Sequence, residues 1–146
     1  MKRLFLTLTI ALGLSLSSFA NGEEIAPAAL QSFKSSFKNA SEVTWSVSEN
    51  FYKANFSLNG QYVAAYYDQQ GTMIALTRNI SSIQLPIVLQ AGLKKDYDGY
   101  WISDLVEMAN DEGTSYFITL ETADTKLILK STSKSDWSNY KKQRKS

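Results

Sequence analysis

The side chains that most often carry enzymatic chemistry are missing from this chain. Its 146 residues include no histidine and no cysteine. Histidine general bases, Ser-His-Asp triads, thiol nucleophiles and zinc sites built on those residues are therefore excluded. Carboxylates, hydroxyls, lysines and aromatic rings remain. Asp96-Tyr97-Asp98-Gly99 starts like a calcium loop, but the later ligands and the glutamate at the twelfth position are absent. It reads as the turn that ends a helix. Asp111-Glu112 reads as a solvated hairpin tip. Ser35 and Ser36 stand near Lys34 and Lys38, a composition that Ser-Lys catalysis could use. The wet side of a helix explains them more simply. No two carboxylates are tied by spacing as a glycosidase pair would need. The expectation is a protein that is not an enzyme and uses no metal or cofactor.

Recognition is the chemistry left, and it depends on where strands place the aromatic rings. Val43, Trp45 and Val47 alternate with polar residues, as do Tyr52, Ala54, Phe56 and Leu58. This period of two predicts strands. Asn59-Gly60 follows, and both central residues of a type I′ hairpin turn need the positive φ that this pair tolerates. A two-residue loop sets Leu58 against Gln61, Phe56 against Val63, Ala54 against Ala65 and Tyr52 against Tyr67. That set is the apolar face. Phe51, Lys53, Asn55, Ser57, Tyr62, Ala64 and Tyr66 then share the other face.

Further strands are expected at Gln61–Asp68, Thr72–Arg78, Tyr100–Ala109, Ser115–Glu121 and Lys126–Ser131. If Asp111-Glu112-Gly113 is a three-residue loop with Gly113 left-handed, Met108 pairs with Tyr116 and Val106 with Ile118. Trp101, Ser103, Leu105 and Glu107 then join Phe117 on the open face. That register also turns Asp104 toward the helices, which counts against it. The candidate partner-binding face is Phe51, Lys53, Tyr62, Tyr66, Trp101, Leu105 and Phe117. Aromatics beside charges suit a protein-recognition surface. The plainer reading is that they are strand formers packed on one another or under the tail.

Helices flank these strands. Pro27 suits a first helical position, and Leu30, Phe33 and Phe37 recur at helical spacing. Ser81 or Ser82 can cap a second helix with Leu85, Val88, Leu89 and Leu93 as its stripe and Pro86 in its first turn. The order is helix, four strands, helix, three strands. It reads as one unit used twice, about 27–80 and 81–132. Tyr52-x-Ala54-x-Phe56 matches Tyr116-x-Ile118-x-Leu120. The tail, 133–146, holds Trp137 and Tyr140 and allows a short helix. Its basic end, Lys141 to Lys145, reads as a solvated terminus, with contact to anionic lipid or glycan as the alternative.

The first twenty residues have the form of a cleavable signal peptide. Lys2 and Arg3 precede an apolar run from Leu4 to Leu16, and Ser18-Phe19-Ala20 offers a small-x-small cleavage site after Ala20. The run falls short of the roughly 20 residues that span a bilayer. No cysteine follows it to take a lipid. The remaining 126 residues, 21–146, are one domain's worth. Removing Lys2 and Arg3 from the 15 basic residues leaves 13 against 14 acidic ones. A chain so close to neutral does not suggest nucleic acid.

Taken in order, Phe33 to Phe37, Val43-Thr44-Trp45, Tyr52-Lys53-Ala54-Asn55-Phe56, Asn59-Gly60, Tyr67-Asp68 with Gly71, Leu85-Pro86, and Tyr97 with Gly99-Tyr100 resemble a known family. It is the PepSY-like proteins of the β-lactamase-inhibitor-like fold, small periplasmic proteins of Bacteroidota. The resemblance spans about Leu30 to Lys130 and rests on order and spacing. It implies an α+β fold in which tandem helix-plus-antiparallel-strand units share one antiparallel sheet, with helices on one face. It implies no catalytic residues. The expected function is a non-enzymatic periplasmic module, inhibitor-like, that binds another periplasmic protein or an envelope component. No membrane insertion is expected after signal cleavage. The alternative is a binder of small molecules or envelope components in a pocket between helices and sheet. A hydrolase ranks last.

Overall fold

The computed structural model describes residues 24–132 and 135–146. The expected signal peptide and its cleavage site lie outside the described residues. Helix α1 spans Pro27–Ser36 and buries Ala29 and Phe33. Pro27 opens it, where the missing N–H has no helical partner to lose. Strands β1 (Ser41–Val47), β2 (Tyr52–Leu58), β3 (Gln61–Tyr67) and β4 (Met73–Asn79) follow. Asn59 and Gly60 both hold positive φ, 51° and 78°. The β2–β3 register is the expected one, from Leu58↔Gln61 to Tyr52↔Tyr67.

The second helix differs from its expected form. Ser82–Gln84 is a short 3-10 turn, and α2 proper runs Ile87–Asp96. Leu85 precedes a proline, which clashes with a helical conformation at that position. Leu85 is extended, with φ −69° and ψ 152°, so the helix restarts after Pro86. The expected serine cap falls on the 3-10 turn and not on α2: the Ser81 N–H donates to Gln84 Oε1 at 2.9 Å, and Pro86, the N-cap of α2, has no side-chain cap bond. The Asp96–Gly99 stretch ends α2, with Gly99 at φ 90°.

Strands β5 (Trp101–Asn110), β6 (Gly113–Glu121), β7 (Thr125–Ser131) and β8 (Ser138–Arg144) complete one antiparallel sheet in the order β1 to β8. The eighth strand replaces the expected short helix or frayed tail. Trp137 anchors it: its Nε1 donates to the Leu89 carbonyl at 3.0 Å, and the Lys145 N–H donates to the Asp124 carbonyl at 2.8 Å. Between these points β8 pairs with β7 from Lys130↔Ser138 to Thr125↔Arg144.

The β5–β6 register also corrects an expectation. Asn110 pairs with Gly113, so Asp111-Glu112 is a two-residue loop, with Asn110 Oδ1 accepting from the Glu112 N–H at 3.0 Å. Leu105 pairs with Ile118 and Glu107 with Tyr116, one place off the three-residue solution. A shift of one residue turns every side chain to the other face. Leu105 and Glu107 therefore point to the helix side, and Asp104 does not. A bulge between Ile102 and Asp104 restores the original phase at the start of the strand. Trp101 thus keeps the face expected for it.

Both helices pack on one face. Ala29 and Phe33 of α1 cluster with Ala54, Phe56, Ala65 and Tyr67. Leu89 of α2 clusters with Leu105, Tyr116, Ile118, Leu120, Leu127 and Leu129. The row Val63–Arg78–Glu107–Tyr116 crosses the sheet between the two clusters. Arg78 Nε donates to Glu107 Oε1 at 2.8 Å and Nη2 donates to Oε2 at 3.3 Å.

Candidate functional site

The face opposite the helices is assembled in register rows. Lys53, Tyr66 and Ala75 form one, and Asn55, Ala64, Thr77, Met108 and Ser115 the next. Asn79, Val106, Phe117, Lys130 and Ser138 form a third. Asp104, Thr119, Ile128 and Lys141 form a fourth, and Trp101, Glu121, Lys126 and Gln143 the last. The alternation of each strand delivers these residues here because its other side chains go to the helices.

The expected site residues fall into three groups. Tyr66 and Phe117 belong to the face but are buried, 5% and 6% exposed, in a cluster with Ala64, Ala75 and Met108. Phe51 packs against this cluster, its ring 5.5 Å from that of Tyr66. Tyr62 and Trp101 stand out from the face at 73% and 52% exposure. Leu105 is 3% exposed in the α2 cluster on the opposite face, for the reason of loop length given above. Tyr66 and Phe117 thus follow the plainer reading of packed strand formers, Tyr62 does not, and Trp101 is half-exposed with the tail's Lys145 over its ring.

Lysines sit over three of these rings. Lys53 Nζ lies 5.4 Å from the Tyr66 centroid, Lys130 Nζ 5.2 Å from Phe117 and Lys145 Nζ 4.7 Å from Trp101. Such placement attracts a cation to the ring's negative face. Lys145 also pairs with Glu121 at 2.9 Å and donates to the Thr122 carbonyl at 2.8 Å. The Glu121 carboxyl is held below its ordinary value by hydrogen bonding from Ser103, then by Lys145. Lys145, held by Glu121 and the Thr122 carbonyl, therefore covers part of the Trp101 ring. Tyr140 adds an edge-on contact to Phe117 at 5.6 Å.

Sequence reasoning missed Tyr140, Lys126, Lys130, Lys141 and Lys145 as parts of this face. Ser138–Arg144 is polar on both sides and shows no apolar alternation, so it carries no period-two signal. The lysines on β7 alternate with Leu127 and Leu129 and were legible as outward residues, though not as a group. Among the described residues, no three His, Cys, Asp or Glu side chains gather where they could hold a metal ion. The arrangement presents aromatic rings beside ammonium groups.

An α+β protein with a single open antiparallel sheet, two helices on one side and a ring-bearing face on the other is the class that this geometry defines. No protein-family model and no curated protein matches the chain. Solved structures do. A BLIP-like protein from Bacteroides fragilis NCTC 9343 is 16% identical with a TM-score of 0.71, over 85% of this chain and 89% of that one. A DUF2874 family protein from Bacteroides ovatus ATCC 8483 is 18% identical with a TM-score of 0.74, over 84% and 89%. A protein from Bacteroides eggerthii DSM 20697, provisionally named periplasmic, is 12% identical with a TM-score of 0.74, over 84% and 90%. At these identities the likeness shows the fold. It is the BLIP-like fold that the resemblance implied, in proteins from Bacteroides. None of the three names states an enzymatic activity. No helix among the described residues is long and apolar enough to cross a membrane.

Proposed function

We propose that this chain is a non-enzymatic, inhibitor-like binding module of the periplasm. It is PepSY-like in kind, built from two helix-and-strand units, and mature from Asn21. It engages another periplasmic protein, or a protein of the envelope, through the sheet face opposite the helices. Tyr62 and Trp101 are its anchors. The observation that carries this reading is their exposure on a face where Tyr66 and Phe117 are buried and packed. Exposed Tyr and Trp are the residue types that dominate binding energy at protein interfaces. Between helices and sheet, Tyr67, Leu89, Ile118 and Leu129 are wholly buried. That filling favours the sheet face over a small-molecule pocket on the helix side.

The test is a pull-down from periplasmic extract with wild type and the Tyr62→Ala/Trp101→Ala variant. The double variant is expected to fold, because neither side chain belongs to a buried cluster, and to lose a specific partner. A folded double variant that retains every specific partner would overturn the assignment.

A further inference from the structure

The same face carries positive charge that the fold does not need. By register its lysines are Lys53 on β2, Lys126 and Lys130 on β7 and Lys141 on β8, with Lys145 just beyond. Its carboxylates are Asp104 and Glu121. Both are engaged: Asp104 Oδ1 accepts from Asn79 Nδ2 at 2.9 Å, and Glu121 holds Lys145. Lys53, Lys130 and Lys141 form no salt bridge with a carboxylate among the described residues, and Lys126 stands opposite Glu121, whose carboxylate Lys145 already engages.

Three of these lysines are neighbours. Lys126 and Lys130 flank Ile128 along β7, and Lys141 stands opposite Ile128 on β8. Lys141 is diagonal to both, about 7–8 Å from each along the backbone, and Lys126 and Lys130 are about 13 Å apart. Like charges at these separations repel one another weakly across an exposed face. Lysines on an edge strand guard against strand addition, and that accounts for Lys141 on β8. It does not account for Lys126 and Lys130, because β7 is an interior strand. Lys130 is moreover held in place over the Phe117 ring, which reduces the ordering cost of using it. A depression of about 600 Å³ lined by Lys126, Gln143, Arg144, Lys145 and Ser146 continues the basic area to the sheet's end.

We propose that this basic end of the face receives an acidic segment of a partner protein, whose carboxylates pair with Lys126, Lys130 and Lys141 beside the exposed ring of Tyr140. The proposal rests on the reading of this face as the binding surface and adds the chemistry of what is bound. A protein segment fits better than a bilayer. Membrane-surface binding needs apolar side chains that reach into the lipid. Here Ile128 and Phe117, which lie among the lysines, are buried, and the partly exposed rings, Trp101 and Tyr140, are amphipathic and leave no aliphatic side chain among the lysines to enter lipid.

The test titrates the purified protein with a fluorescent peptide of alternating glutamate and tyrosine, and in parallel with phosphatidylglycerol vesicles. The wild type is expected to bind the peptide at low salt, with affinity falling about tenfold or more toward physiological salt. The K126Q/K130Q/K141Q variant should bind about tenfold or more weakly, and K126R/K130R/K141R should bind as wild type does. The glutamine variant should keep a cooperative melt close to the wild-type temperature, since the repulsion removed is offset by the lost contacts of Lys130 with Phe117 and of Lys126 with Glu121. Equal peptide affinity for wild type and a folded glutamine variant would overturn the proposal. So would absence of peptide binding at low salt, or capture by vesicles alone through the same lysines. The two readings fail separately. If the Tyr62→Ala/Trp101→Ala variant loses its partner while the peptide ignores the lysines, the face stands and the charge inference falls. If the partner is kept but the peptide depends on the lysines, the aromatic anchors fall and the acidic ligand stands.

Discussion

Two residues show how local chemistry limits this fold. The Tyr67 side chain is wholly buried between α1 and the sheet, and its hydroxyl finds no hydrogen-bond partner among the described residues. Burial pushes its pKa from 10.0 up to about 12. Below pH 10 the phenol is protonated in folded and unfolded chains alike. Between pH 10 and about 12 the unfolded chain gives up the proton and the folded chain retains it, so stability falls as pH rises through that window. Tyr67→Phe should change stability at neutral pH by less than about 1 kcal/mol, or raise it, because the lost group had no partner. It should also flatten the alkaline decline. Urea unfolding at neutral pH and across the alkaline window checks both. Gly71 is the second case. Its φ is 85°, and a Cβ there would lie 2.6 Å from the carbonyl carbon of Ala28 in α1. The clash is with backbone, which cannot swing away. Gly71→Ala should therefore cost about 1–3 kcal/mol, measured by the same unfolding, and Gly60→Ala, which meets nothing nearby, should cost less.

At the scale of elements, what could be read in advance depended on how many solutions each turn allowed. Asn59-Gly60 admits one short hairpin, so the β2–β3 register followed residue by residue. Asn110 to Gly113 admits a two- or a three-residue loop. The choice between them moved Leu105 across the sheet and returned Asp104 to the open side. The break before α2 was legible in Leu85-Pro86 but was absorbed into one helix. The last strand was not legible, because its polar residues carry no alternation and its hold lies elsewhere, in Trp137 against α2. That hold is testable. Trp137→Phe keeps a ring near Gly92 but removes the donor to the Leu89 carbonyl. We expect a loss of about 1 kcal/mol. Hydrogen exchange should show faster exchange in β8 than in β6, with the difference widened by the substitution.

Over the whole molecule, two helix-side clusters share one sheet, and the Arg78–Glu107 pair spans the ground between them. Arg78 is 39% exposed and Glu107 19%, so the pair is half-screened by water. Arg78→Met should cost about 1–2 kcal/mol, mainly by leaving the Glu107 carboxylate without its fork of donors. A single unfolding transition for the wild type, with that loss in the variant, is the expected result. The faces then divide their work: one is filled by helices, and the other presents rings and ammonium groups. The helix side does carry an exposed apolar trio, Ile83, Ile87 and Val88, which gives the binding-face assignment a fair rival. The decisive measurement is photo-crosslinking in intact cells with a photoreactive residue placed at Tyr62 in one strain and at Ile87 in another. The sheet-face account predicts a discrete protein adduct from position 62 and none from position 87. An adduct from position 87 with none from position 62 would contradict it.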